Sequence, residues 1–425
     1  MTLSTAMKYV ADARDADLAH HVRYEPLETQ TFGDAPDTGA AAAVTSPAGT
    51  PDRELVRASL ELALSKIDAN LETFSDHFPS PASVNGIYQV IDNVEWTNGF
   101  WTGMLWLAYE VTGNDRYRRV ALRQVESFRH RLQARINTNH HDLGFLYTLS
   151  CVSAFQLTGD VGARDTALGA AEQLMSRYLP AAGIIQAWGD LDDPAQRGRM
   201  IIDCALNLPL LYWASEISSD PRFAAAANQH IAQAARYIVR NDASTFHTFY
   251  MDPDNGRPLY GKTHQGHSDD SCWARGQAWG IAGFAFAYRY TGNTAFLELT
   301  SKLANYFLNR LPEDGICYWD LCFTSGSQER DSSAAAITAC GLLELLKVLP
   351  LLDANRKPYE RAASGIIREL ARHYQTAPDG PENGLLRHAV YHMPNRVGVD
   401  ESCIWGDYFY LEALVRLSRP WRPYW

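Results

Sequence analysis

Three things are scarce or missing in this 425-residue chain, and each removes a class of protein. Long hydrophobic runs are absent. No uninterrupted apolar stretch approaches the ~18–20 residues of a bilayer-spanning helix. The opening residues, Met1-Thr-Leu-Ser-Thr-Ala-Met-Lys8, do not place a basic segment before an apolar one, as a secretory signal does. The chain is therefore expected to have no membrane span and to be cytoplasmic. Positive charge is in deficit, with 38 Lys+Arg against 49 Asp+Glu and a net charge of −11. An acidic protein without basic runs suits neither nucleic acid nor an anionic membrane surface, so neither is expected as a partner. If the ligand is an anion, the groups that meet it are local. Paired cysteines are missing too. The seven cysteines stand apart at 151, 204, 272, 317, 322, 340 and 403, without a C-x-x-C or a disulfide-like spacing. That pattern predicts buried thiols in a reducing compartment. The motifs G-x-S-x-G, G-x-x-x-x-G-K-[ST] and G-x-G-x-x-G do not occur, which removes the local signatures of serine hydrolases, phosphate loops and dinucleotide folds.

What is present is apolar, aromatic and helical. Hydrophobic residues make up 46% of the chain, with 11 Trp and 21 Tyr, enough for a large core and for a cleft lined with flat rings. Residues 1–50 differ from the rest: small, polar and punctuated by Pro and Gly, they read as a flexible low-complexity leader. Residues 51–425 are expected to form a single domain. In residues 54–71, Leu55, Leu60, Leu62, Leu64 and Ile67 recur at roughly helical spacing. Beyond them one pattern repeats: a polar or charged residue, an apolar helix, a turn such as Thr-Gly-Asn, and a second helix. Its copies span 101–132, 142–178, 203–239, 275–308 and 331–374. A last half-copy, 407–417, is placed to pair with 54–71 and close a ring. Six such hairpins predict an all-α (α/α)6 barrel, a toroid with small β-hairpins in its loops; an open solenoid would repeat more regularly. In a closed barrel the residues leading the inner helices, Trp101, Asp142, Asp203, Arg275, Asp331 and Asp407, are expected to converge on one face. The long loops before those helices belong to that face as well.

Asp142, in His140-His-Asp-Leu-Gly, and Asp203, in Ile201-Ile-Asp-Cys, each lead an inner helix. An aspartate at such a place is often only a helix cap. Two on adjacent helices, if close, raise one another's pKa, and a carboxyl kept protonated near neutral pH is what general-acid catalysis needs. The polar loop 260–279 holds His264, His267, Asp269 and Asp270, whose spacing matches no defined zinc or iron signature; no metal is expected. Arg275 and Trp279 stand four apart on one helix face, suited to a sugar carboxylate or, equally, to an ion pair and a core ring. Trp96-Thr-Asn-Gly-Phe-Trp101 offers rings at another inner-helix start, and His247 alone is uninformative.

These segments together carry a resemblance. Trp96–Glu110, His140–Tyr147, Ile184–Gly189, Ile201–Pro209, Phe246–Tyr250, Thr263–Gly266, Trp273–Gly280, Arg330–Ala334 and Ile404–Ala413 resemble, in order, the unsaturated glucuronyl hydrolases of glycoside hydrolase family 88. The likeness runs over roughly residues 60 to 425. It implies an (α/α)6 barrel, no cofactor, and a small anionic oligosaccharide with a 4,5-unsaturated uronic acid at its non-reducing end, the product of a polysaccharide lyase. It implies Asp203 as general acid and base and Asp142 as the second essential carboxylate. Trp96, His141, Trp188, His247, His264, Gln265, Arg275 and Trp279 match positions that line the sugar site. A monomer or homodimer is expected. Relatives that favour sulfated fragments carry Ser and Lys in a C-terminal loop, which here reads Tyr391-His-Met-Pro-Asn-Arg-Val-Gly-Val-Asp400, without them. Apart from the resemblance, an inverting glycosidase, a sugar epimerase on the same barrel, or a non-catalytic helical binding protein remain open.

Overall fold

The structure, a computed structural model, describes residues 17–28 and 52–425. The helices are α1 (Arg53–Asn70), α2 (Asn98–Thr112), α3 (Asp115–Gln133), α4 (Leu143–Tyr147), α5 (Ser153–Thr158), α6 (Val161–Met175), α7 (Cys204–Asn207), α8 (Pro209–Ser218) and α9 (Pro221–Gln233). They continue with α10 (Ala274–Thr291), α11 (Thr294–Leu308), α12 (Ser332–Val348), α13 (Arg356–Glu369) and α14 (Ile404–Ser418). An inner ring of α2, α4 with α5, α7 with α8, α10, α12 and α14 closes on itself, because α14 packs on both α12 and α2. The other helices form the outer ring, and α1 backs α14, so the first and last helices complete the sixth hairpin.

Local chemistry explains why the chain doubles back so often. At Thr112-Gly-Asn114, Thr158-Gly-Asp160 and Thr291-Gly-Asn293, the threonine hydroxyl donates to the carbonyl four residues earlier and accepts the N–H two residues later. The glycine takes a left-handed φ of 67–76° that ends the first helix. The Asn or Asp side chain then accepts an N–H from the first turn of the next helix. One tripeptide ends one helix and caps the following one.

Burial distinguishes the rings. In α3 the buried residues Tyr117, Ala121, Gln124, Val125, Phe128 and Arg131 form one stripe, as on an outer helix. In α10 every residue from Ala274 to Ala287 is buried, so small residues are needed wherever helices meet. One such close approach is at Gly144 of α4. A Cβ there would overlap the Cα and carbonyl oxygen of Asn207 in α7.

Among the described residues nine short strands decorate the loops: β1 (Phe78–Pro79) with β2 (Val90–Ile91), β3 (Tyr178–Leu179) with β4 (Ile184–Ile185), β5 (Arg199–Ile201) with β6 (Thr248–Met251) and β7 (Pro258–Lys262), and β8 (Ala389–His392) with β9 (Val397–Glu401). All pair antiparallel. Among the described residues no helix is long and apolar enough to cross a membrane. None of the seven cysteines is paired; six are buried and Cys322 is exposed.

One sequence expectation is corrected. Residues 17–28, within the stretch read as a flexible leader, lie against α11. Leu18, Ala19 and Val22 are buried. Lys302 Nζ donates to the carbonyls of Ala19 and Val22, Asn305 holds the Glu25 carbonyl, and Arg310 pairs with the Glu25 carboxylate at 3.2 Å. Three small apolar residues in a polar segment carry too little periodicity to announce this docking. The remainder of the proposed leader lies outside the described residues.

Leu18 is 1% exposed. Leu18→Ala is expected to destabilise the fold by about 2–4 kcal/mol, read as a lower midpoint in urea unfolding, with the activity of the folded enzyme unchanged.

Candidate active site

One pocket at the mouth of the inner ring gathers Asp142, Asp203, His141, Trp96, Trp188, His247, His264, Gln265, Arg275 and Trp279, the residues expected from sequence to form a site. It is also lined by Ile201, Trp273, Tyr391 and His392. The expectation that all six inner-helix leaders converge is corrected. Trp101 is buried, its Nε1 donating to the Phe74 carbonyl. Asp407 accepts from Leu386 N and Tyr88 Oη, away from the pocket. Asp331 sits behind Arg275, 3.6 Å from its guanidinium.

Asp331 shows what a capping aspartate looks like: its Oδ1 accepts from Ser333 N and Ala334 N at the start of α12. Asp142 and Asp203 hold the same position before α4 and α7, yet neither side chain makes a capping hydrogen bond. At α4 that work falls to Asn207, whose Oδ1 accepts from Phe145 N at 2.9 Å. Asn207 Nδ2 reaches Asp142 Oδ1 at 3.5 Å and the Asp203 carbonyl at 3.4 Å. Both carboxylates are thus left free of the helix ends, and they turn toward each other.

His141 stands between them. Its Nε2 is 3.4 Å from Asp142 Oδ1 and 3.3 Å from Asp203 Oδ1, and these three donor and acceptor atoms all lie within 4.8 Å of one another. Burial opposes charge on either acid. At Asp142 the contacts to His141, His140 and Asn207 outweigh burial and hold its pKa below the ordinary value. At Asp203 burial, joined by the charge of Asp142, outweighs the pull of His141, and the pKa is raised. The geometry makes two like residues unlike, one shifted toward the anion and the other toward the protonated form. Among the described residues this is the one cluster of three groups of the kind a metal takes. The proton chemistry derived below requires no ion.

The walls are aromatic. Trp96 stacks on Trp405 with centroids 5.2 Å apart and donates its Nε1 to Tyr391 Oη. Trp188 carries the Arg199 guanidinium 3.6 Å over its ring. His247 Nδ1 accepts from His264 N and Gln265 N, so its proton is on Nε2; burial pushes its pKa well down and keeps it neutral. Arg275 departs from the expected pairing with Trp279. Its guanidinium lies between Trp273, at 4.4 Å, and Trp405, at 4.7 Å. Its N–H groups go to the carbonyls of Val390 and Tyr391 and to Gln265 Oε1. Arg275 therefore fastens the β8–β9 hairpin to the barrel and orients the Gln265 amide, with Nε2 left to donate. Trp273 was identifiable as the residue before α10. Tyr391 and His392 were marked only through the resemblance, in the loop 391–400, because the hairpin is held at the pocket by residues distant in sequence, Arg275 and Trp96.

Comparison with known proteins agrees with this architecture. The model of Glycosyl Hydrolase Family 88 matches residues 67–382. The chain is 48% identical over 357 residues to an unsaturated glucuronyl hydrolase of Bacillus sp. (strain GL1), covering 84% of this chain and 95% of that one. It is 46% identical over 374 residues to an unsaturated chondroitin disaccharide hydrolase of Streptococcus pneumoniae, covering 88% and 94%. A crystal structure of a mutant unsaturated glucuronyl hydrolase from Streptococcus agalactiae, complexed with dGlcA-GalNAc6S, superposes with a TM-score of 0.82 at 42% identity, covering 95% of this chain and 99% of that one. The (α/α)6 toroid and its pocket thus have their counterparts among solved enzymes, and the chain belongs to Glycosyl Hydrolase Family 88.

Proposed function

We propose that Asp203 and Asp142 carry out hydrolytic release of a 4,5-unsaturated uronic acid from the non-reducing end of lyase-generated oligosaccharides, from glycosaminoglycans or other uronate polysaccharides. The observation that carries this reading is the partly buried pair of uncapped carboxylates with opposite pKa shifts, facing each other beside His141. The substrate is an enol ether, so its reactive carbon pair is C4=C5. Asp203 delivers its proton to C4, and positive charge develops at C5, shared with the ring oxygen. Water adds at C5 and returns a proton to Asp203. The hemiketal so formed opens to a keto acid, and the hemiacetal left at C1 releases the rest of the oligosaccharide. Asp142 stays ionised throughout, positioned to hold ring hydroxyls and to oppose the loss of the Asp203 proton. The tryptophans offer stacking faces for the sugars, and the neutral His247 and the Gln265 amide offer donors.

An inverting glycosidase is the weaker reading. Such enzymes keep their carboxyl groups about 6.5–9.5 Å apart to hold a water between them. Here the facing oxygens of Asp142 and Asp203 lie within 4.8 Å. A purely binding protein has no need of two free carboxylates with divided pKa values.

Wild-type protein is expected to bleach the ultraviolet absorbance of unsaturated disaccharides. Asp203→Asn is expected to lower kcat by about 10²–10⁴ with the fold intact by circular dichroism. Release of saturated sugars without bleaching would instead favour the glycosidase. The raised pKa of Asp203 predicts an alkaline limb in the rate profile as that proton is lost. In Asp142→Asn the charge that raises it is gone, so on the residual rate the limb should move to lower pH. Arg275→Lys keeps the charge but not the fork that holds two carbonyls. It should raise KM and expose the 391–396 turn to limited proteolysis; an unchanged cleavage pattern would refute the clamp.

A further inference from the structure

The mechanism leaves one buried group without an assigned task. His141 is 2% exposed, and its backbone N–H is held by the Ala187 carbonyl at 2.7 Å. Its two ring nitrogens are placed in opposite circumstances. Nε2 has a carboxylate oxygen on either side at nearly equal distance, 3.4 Å to Asp142 and 3.3 Å to Asp203. Nδ1 is buried and has no hydrogen-bond partner. Asp203 Oδ1 is likewise buried with no formed hydrogen bond, Nε2 standing 3.3 Å away, whereas Asp142 Oδ1 also faces Asn207.

We infer that His141 is a positioning residue that keeps the transferable proton of the pair on Asp203: its single Nε2–H stands within reach of both carboxylates, and its partnerless Nδ1 excludes a second proton from the ring. The inference rests on Asp203 being the proton donor. At rest the three groups share two protons. One arrangement is an imidazolium between two carboxylates. The other is a neutral imidazole, an ionised Asp142 and a protonated Asp203. They differ only in whether the second proton is on Nδ1 or on Asp203. A proton on Nδ1 would be a buried N–H with no acceptor, a costly state. Burial opposes charge on His141, but with both acids ionised Asp142 and Asp203 outweigh it and raise its pKa; of the other groups around the ring, Arg177 opposes the imidazolium. Arg177 is a cation held by the carbonyls of Gln186 and Gly189. His230 on α9 adds no negative charge: its Nδ1 accepts from Ile185 N, and burial keeps it neutral. Once Asp203 is protonated, Asp142 alone remains to favour charge on His141.

The Nε2–H then acts during turnover. Before transfer the Nε2–H serves the ionised Asp142. When Asp203 gives its proton to C4, its new anion already has the same N–H at 3.3 Å. A donor that meets a charge only as it forms favours the transition state over the ground state. When water adds at C5, its proton returns to Asp203 and the Nε2–H reverts to Asp142.

Three variants and one spectrum test this on the full chain with unsaturated chondroitin disaccharide. His141→Gln places a neutral amide N–H near the Nε2 position and takes up no proton. It should keep kcat within about tenfold and leave the alkaline limb in place. His141→Leu, which removes the donor, should lose about 10²–10³ in kcat with little change in KM, as expected for a donor used mainly as charge develops. Asp203→Asn marks the floor of the assay. Nitrogen-15 spectra of histidine-labelled protein should show His141 as the neutral Nε2–H tautomer across the active pH range. An imidazolium signature there, or an alkaline limb displaced upward in His141→Gln, would overturn the inference while leaving Asp203 as acid. Loss of activity on chelation, restored by a divalent cation, would also overturn it, by assigning the three groups to an ion. A wild-type protein inert toward every unsaturated substrate would instead sink the proposed function itself.

Discussion

The site depends on a contact that leaves no room for a methyl group. At Gly144 the α4 backbone meets Asn207 of α7 so closely that a Cβ would collide with backbone atoms, which have nowhere to move. That contact fixes the distance between the two helix starts, and the residues just before them are Asp142 and Asp203. Asn207 fills the crossing with both ends of its amide, capping α4 through Oδ1 and reaching Asp142 through Nδ2. The cap and the juxtaposition are one arrangement. Because a neighbour satisfies the end of α4, the aspartate that would ordinarily do so has a side chain to spare.

Two carboxylates forced together in a partly buried place are unstable as two anions, and the fold resolves this asymmetrically. Asp142 collects the polar neighbours; Asp203 has Ile201 and Ile202 before it in sequence, both buried, and little besides His141 to stabilise a charge. The same economy governs the cations. The chain is acidic overall, at −11, yet its pocket has a fully buried arginine. Arg275 faces Asp331 at 3.6 Å, lies between two indoles, and spends its N–H groups on protein carbonyls and on Gln265. Its charge favours an anion in the pocket, while the hydrogen bonds to the ligand are left to neutral donors such as Gln265 and His247. An uncommitted guanidinium at that depth would carry a far larger desolvation cost.

How much of this was legible in the sequence follows from the range of each interaction. The Thr-Gly-Asn turns involve residues at most a few positions apart, and they announce the hairpins and, by their number, the ring. Asp142, Asp203, Asp331 and Asp407 all look alike on the chain as acids near the starts of apolar helices. Asp331 caps its own helix, Asp407 is taken up by Tyr88 and Leu386, and neighbours across the barrel leave the other two a free pair. Tyr391 and His392 could not be placed in the pocket from the residues alone, because they arrive on a hairpin more than a hundred residues from the helix that fastens it. The strap at residues 17–28 was misread for the same reason: its hydrogen-bonding partners, Lys302, Asn305 and Arg310, are nearly three hundred residues away.

A helix start is a natural place for an aspartate, since exposed N–H groups favour a carboxylate there whatever its purpose. The sign of function is an aspartate at that place whose oxygens are not used by the helix. Asp142 and Asp203 meet that description together and Asp331 does not, although all three occupy equivalent steps of the same repeat. The repeat therefore supplies its own control: identical positions, with and without the capping bonds, differ only in what the opposing helix provides. At α4 the provision is Asn207, and Asn207 is where it is because residue 144 has no side chain. The step from structural cap to candidate acid thus turns on a glycine that carries no chemistry.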